Sequence, residues 1–227
     1  MNSNQFTQGG FYRFSNYVYW LMILNVLFIA SNILFFIAFI TLIPSVSNAI
    51  FYFIASIPTG PAIAALCHAL SKLVREKEVA PVADFIHAYR NNFKDVLKVW
   101  LPILIVAFIL VIDIQYFNQN PTLFYQILNG IFLVALLILS VFTFYALIIT
   151  SHYQFRIRDV YRLSVYYIFM RFKITSGNIC IVFLTLVLMF FTSDFIIFLL
   201  FSVIAWLLMA NTQGIIEDVK LNFVKES

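Results

Sequence analysis

Six runs of apolar residues, each close to the length a helix needs to cross a hydrocarbon layer, constrain this chain more than any other feature. They lie at roughly 17–41, 48–70, 101–118, 123–150, 174–191 and 195–212, and a bilayer core about 30 Å thick takes about 20 helical residues. Hydrophobic residues make up 63% of the chain and charged residues 11%, against about 45–50% and about 25% in soluble domains. A 227-residue soluble domain has too little interior to hide that excess. The expected fold is therefore all-α, a polytopic transmembrane helix bundle of six spans forming a single transmembrane domain over 1–227. The N-terminal stretch lacks a short apolar core followed by a small-residue cleavage site, so no removable signal peptide is expected.

The basic residues provide an independent test. All 14 Lys and Arg fall in four places. Arg13 lies in the N-terminal tail. Lys72, Arg75, Lys77, Arg90, Lys94 and Lys98 lie in the segment 71–100. Arg156, Arg158, Arg162, Arg171 and Lys173 lie in 151–173, and Lys220 and Lys225 in the C-terminal tail. The connections near 42–47, 116–122 and 192–194 carry none. Because Lys and Arg are retained on the cytoplasmic side during insertion, both termini and both long segments are expected in the cytoplasm of a multi-pass bacterial cytoplasmic-membrane protein. Anionic membrane lipids are the simplest partners for these cations, and the net charge of +4 gives no reason to expect nucleic acid.

Each long segment is patterned as an amphipathic elbow helix. In 81–100, Val82, Phe85, Ile86, Tyr89, Phe93, Val96, Leu97 and Trp100 form one helical stripe. Asp84, His87, Arg90, Asn91, Lys94, Asp95 and Lys98 occupy the other face, and Pro81 suits a first helical turn. In the second segment Val160, Leu163, Tyr167 and Met170 step by three, four and three, beside Arg156, Asp159, Arg162 and Arg171. The tail "IIEDVKLNFVKES" could be a shortened third copy of the same hairpin-plus-elbow unit.

Within the second run, "IPTGPAIAAL" places Pro58, Thr59, Gly60 and Pro61 in membrane-grade sequence. Three readings stand open. A discontinuous helix could expose backbone groups to a substrate or ion. A kink could serve packing alone, or the true span could begin at Pro61 after an interfacial piece. The kink is favoured, because the fourth and sixth runs contain no proline to form a paired break. Ala62, Ala64, Ala65 and Ala69 would permit close helix approach just after it. Asn25, Asn32, Asn129, Asn178 and Asn211 are expected as glue between helices. Asp113 is the one acid placed within a span and so the one candidate coupling acid.

Catalytic signatures are missing. His68, His87 and His152 are scattered along the sequence outside any HExxH-like spacing, and no phosphate-cradling glycine loop occurs. Cys67 and Cys180 are two isolated thiols, expected to be reduced core residues. Neither an enzymatic activity nor a cofactor or metal is expected.

The ordered set of an asparagine-containing first span ("LNVLFIASNILF"), the motif Pro58 to Leu66, and "LSKLVREKEVAPVADFIHAYRNNFK" resembles the YesL family of bacterial membrane proteins, a domain of unknown function. Arg75 to Glu78, Asp84, Phe85, Tyr89, Asn92, Phe93 and Lys94 carry the resemblance most specifically. The family implies six spans and an association with carbohydrate ABC importers, and it supplies no catalytic residues. The expectation is a non-enzymatic accessory or assembly subunit of such an importer. It would dock permease subunits or their ATPase through Asp84, His87, Arg90, Asn91, Lys94, Lys98, Arg156, Arg158 and Arg162. The alternative is a self-contained small-solute transporter or channel using the broken second span.

Overall fold

A computed structural model describes residues 10–76, 80–119, 122–191 and 194–223. Every regular element among them is helical: α1 (Gly10–Ser31), α2 (Ile33–Thr41), α3 (Ala49–Ala55), α4 (Thr59–Glu76), α5 (Pro81–Asn118), α6 (Leu123–His152), α7 (Ile157–Met170), α8 (Phe172–Phe191) and α9 (Asp194–Phe223). Four stretches are long and apolar enough to cross a membrane, Tyr12–Ser31, Pro81–Asn118, Leu123–His152 and Leu200–Phe223. Two bent pairs, α3 with α4 at 46° and α7 with α8 at 95°, raise the number to six when each counts as one span. The protein is a multi-pass helical membrane protein.

Helix α4 is the centre of the bundle, touching α1, α5, α6 and α9. Its small residues explain why: Ala62, Ala64, Ala65 and Ala69 are all buried, and with no side chain beyond Cβ they let four neighbours approach one helix. Leu66, Leu70 and Leu73, fully buried, fill the remaining gaps. Lipid offers apolar side chains the same environment as a neighbouring helix, so such packing, rather than water exclusion, holds the bundle together. Outward-facing Ile, Leu and Phe are correspondingly abundant along α2, α5, α6 and α8.

Three expectations need correction. The segment 81–100 is no separate elbow: it runs unbroken into the third span as α5, 38 residues long, or roughly 57 Å at 1.5 Å per residue. About half that length exceeds a hydrocarbon core. The tail after residue 212 likewise continues the last span as α9 to Phe223, leaving no third elbow. The first run is interrupted at Asn32, a turn between α1 and α2. Its backbone still hydrogen-bonds in helical register, to Phe28 behind and Phe36 ahead. Only the second elbow, α7, is an independent helix.

The apolar stripe of α5 is also rotated from the expected one. Phe85, Ala88, Val96, Val99 and Trp100 are buried, whereas Val82 and Ile86 are exposed. Ala88 takes the contact because the face that meets α4 is chosen by fit against alanines, not by hydrophobicity alone. Cys67 is buried as expected, but Cys180 faces outward and is no core residue.

Candidate functional site

At the helix break, α3 ends at Ala55 and α4 begins at Thr59. The carbonyls loosened there find partners nearby. Ser56 O accepts from Thr59 N and, at 3.0 Å, from the indole Nε1 of Trp100 on α5; Pro58 O accepts from Ala62 N. Gly60 has a steric reason: a Cβ added there would lie 2.3 Å from Cγ of Trp100. Within the Pro58, Thr59, Gly60 and Pro61 break, Gly60 and the Ser56 carbonyl before it thus form a seat for the indole, the arrangement expected of a packing kink. One polar atom is left over, the buried hydroxyl of Thr59, which has no hydrogen-bond partner among the described residues.

The five asparagines divide, and the buried Oδ1 of Asn129 has no hydrogen-bond partner among the described residues, so it is not the expected glue. Asn178 on α8 donates to the Tyr145 hydroxyl (3.2 Å) and to Thr212 Oγ1 (3.0 Å), and its Oδ1 accepts from Asn211 Nδ2 at 2.8 Å. Asn211 also donates to Ile174 O, and a Cβ at Gly177 would stand 2.9 Å from its amide nitrogen. This knot ties α6, α8 and α9. Asn25 Oδ1 accepts from Ser202 N, tying α1 to α9. Asn32 instead bonds its own helix at Phe28 O, so it marks the α1–α2 turn rather than joining helices.

The residues expected at the docking surface separate by role. Asp84 is committed to structure: it pairs with Lys72 at 2.9 Å and accepts from the amide of Ala80, closing the first turn of α5. His87 Nε2 accepts from Asn91 Nδ2 within its own helix, and Lys98 pairs with Asp95 one turn earlier. Arg90, Asn91, Lys94 and Lys98 line one concavity of about 430 Å³ on α5. Lys98 and Asp95 also wall a neighbouring concavity of about 290 Å³ that continues to Arg156 and Ile157 at the start of α7. Arg158 and Arg162 follow, one turn apart and exposed. Among the described residues, Arg90, Lys94, Arg156, Arg158 and Arg162 form no ion pair, unlike Lys72, Arg75, Lys98 and Arg171.

The three histidines, scattered in sequence, line a single pocket of about 220 Å³ where α4, α5 and the end of α6 meet. The rings of His68 and His152 lie 4.9 Å apart, centroid to centroid. His68 Nδ1 faces Ser151 O at 3.1 Å and His152 Nδ1 faces Ile148 O at 3.0 Å. A carbonyl can only accept, so each Nδ1 is assigned the proton and each Nε2 the lone pair. Asn92 Nδ2 donates to the same Ser151 carbonyl. Next to them, burial pushes the Tyr153 hydroxyl up from its ordinary value, keeping it a neutral donor to Ile216 O. Among the described residues no three His, Cys, Asp or Glu side chains converge as a metal site. Periodicity within one helix could not reveal this convergence, since the three residues belong to three helices. Asp113, in the last turns of α5, is half-buried and forms no ion pair among the described residues.

A membrane bundle with an indole packed over its helix break and a cationic surface on α5 and α7 is the class this geometry defines. Residues 21–114 match the family model described as "Protein of unknown function, DUF624", the domain on which the YesL family is built. The resemblance seen in the residues is therefore borne out, and the matched segment holds the helix break, Trp100 and the α5 cations. No curated protein and no solved structure matches the chain.

Proposed function

We propose that the protein is a non-enzymatic accessory or assembly subunit of a carbohydrate ABC importer in the bacterial cytoplasmic membrane, with both termini in the cytoplasm. The observation that carries this reading is the group of cations on α5 and at the start of α7: Arg90, Lys94 and Arg156 line two neighbouring concavities that share Asp95 and Lys98, Arg158 and Arg162 follow, and none of the five forms an ion pair among the described residues. An unneutralised row on two helices suits an acidic surface of a partner, and charge complementarity of this kind steers association and fixes register. The importer as partner follows from the family resemblance; the chemistry of the face supplies only its sign.

The alternative, a solute transporter using the broken span, has one observation in its favour, the unpartnered Thr59 hydroxyl. Against it, the indole of Trp100 occupies the place where Gly60 would otherwise open the backbone.

Affinity purification of the tagged chain from its native membrane in mild detergent, with mass spectrometry of what accompanies it, tests the proposal. Recovery of importer permeases or their ATPase with the wild type, and their loss with Arg90→Glu/Lys94→Glu, is expected. Recovery of the chain alone would overturn it.

A further inference from the structure

Between α4, α5, α6, α8 and α9 lies a partly open slot of about 310 Å³, lined by none of the cations of α5 and α7. Its walls include Ile63, Trp100, Ala107, Leu147, Ala205 and Leu208. Along α6 the lining extends from Leu136 to Leu147, three turns or roughly 16 Å. The slot is therefore long and narrow. Two hydroxyls border it, and both are spent on their own helix: Ser140 Oγ donates to Leu137 O and Thr143 Oγ1 to Leu139 O, each at 2.7 Å. The Cys67 thiol is buried against it.

Such a lining discriminates among occupants. An ordered water needs two to four polar partners, and these walls present none that is uncommitted. A polar solute would lose its hydration without replacement, at a cost of several kcal/mol per group. A vacant slot would forfeit the dispersion contacts of its lining, and an apolar cavity of about 150 Å³ already suffices to hold benzene. This one is about twice that size and elongated. Ser140 is an exposed wall residue in mid-span, so the slot meets the bilayer there, where the surrounding medium consists of hydrocarbon chains.

We propose that one acyl chain of a bilayer phospholipid enters past Ser140 and occupies this slot as an integral part of the bundle. It fills the gap between the α4–α5–α6 group and the α8–α9 pair, with Trp100 at its inner end.

Trp100 is the natural probe, because the protein itself shields it from bulk lipid, leaving it only 8% exposed. The full chain carrying Trp20→Phe and Trp206→Phe is reconstituted in phosphatidylcholine vesicles with brominated acyl chains. Quenching of Trp100 fluorescence is expected, and it should fall at least twofold when the slot is filled by Ala205→Phe or, from another wall, by Ala107→Leu. Native mass spectrometry of the wild type should show one retained phospholipid, lost in either variant. Quenching that both folded variants leave unchanged would overturn the proposal. So would a wild-type chain that retains no phospholipid, or one that retains a different apolar molecule in stoichiometric amount.

Discussion

The indole of Trp100 lies across Gly60, forty residues away in sequence, and its Nε1 bonds the carbonyl of Ser56 that the helix break leaves accessible. One side chain thus supplies both the volume and the donor that the break requires.

Gly60→Ala should therefore be destabilising despite alanine's better helix propensity. A Cβ 2.3 Å from Cγ of Trp100 has to displace the ring, and overpacking of this kind costs about 1–3 kcal/mol. Trp100→Phe keeps much of the packing but loses the bond to Ser56 O, for roughly 0.5–1.5 kcal/mol. Thermal unfolding in detergent checks both. Combining Gly60→Ala with Trp100→Ala should recover part of the loss, since the clash disappears with the ring.

Asn178→Ala removes three hydrogen bonds at once, one each from Tyr145, Thr212 and Asn211. Interhelical bonds in membranes average about 0.6 kcal/mol each, so a loss of roughly 1–2 kcal/mol is expected. A double-mutant cycle with Asn211→Ala should show coupling of at least about 0.5 kcal/mol. Strict additivity would mean the knot is not acting as a unit.

Asp84 and Lys94 should behave oppositely although both lie on the polar side of α5. Asp84→Ala loses the Lys72 pair and the bond from Ala80 N, for about 1 kcal/mol of stability. Lys94→Ala, exposed and without an ion pair among the described residues, should change the melting temperature little and register only in partner recovery. A Lys94→Ala chain as destabilised as Asp84→Ala would show that its role is structural.

Single cysteines introduced at Lys94 and Arg158, in a Cys67→Ala/Cys180→Ala background, should react with an impermeant maleimide from one side of the membrane only. A cysteine at Ser45 or Gln119 should react from the other. Labelling of Lys94→Cys and Arg158→Cys from opposite sides would refute the placement of the basic segments together.

The membrane-spanning character of the chain was legible because it is a property of single segments. The run 123–150 became α6 almost residue for residue, and the alanines after the break were recognisable as packing residues from their size. What depends on neighbours was not legible. Nothing local to Val82 or Ile86 says that α4 will choose Ala88 instead. The reason for Gly60 lies in Trp100, and the pocket shared by His68, His87 and His152 exists only once three helices converge. The continuity of α5 was missed for a related reason: a change from amphipathic to uniformly apolar patterning suggested a joint, but the backbone needs none where no residue breaks the helix before Pro102.

That continuity has a mechanical consequence. The first half of α5 carries Arg90, Lys94 and Trp100 on one rod, and Pro102, whose missing amide leaves the carbonyl of Lys98 without its helical donor, makes the turn before it the softest point of that rod. A tilt of that rod at the cations would reach, through helix that no residue breaks, the indole packed against Gly60. The cations and the cover of the helix break are thereby parts of one element.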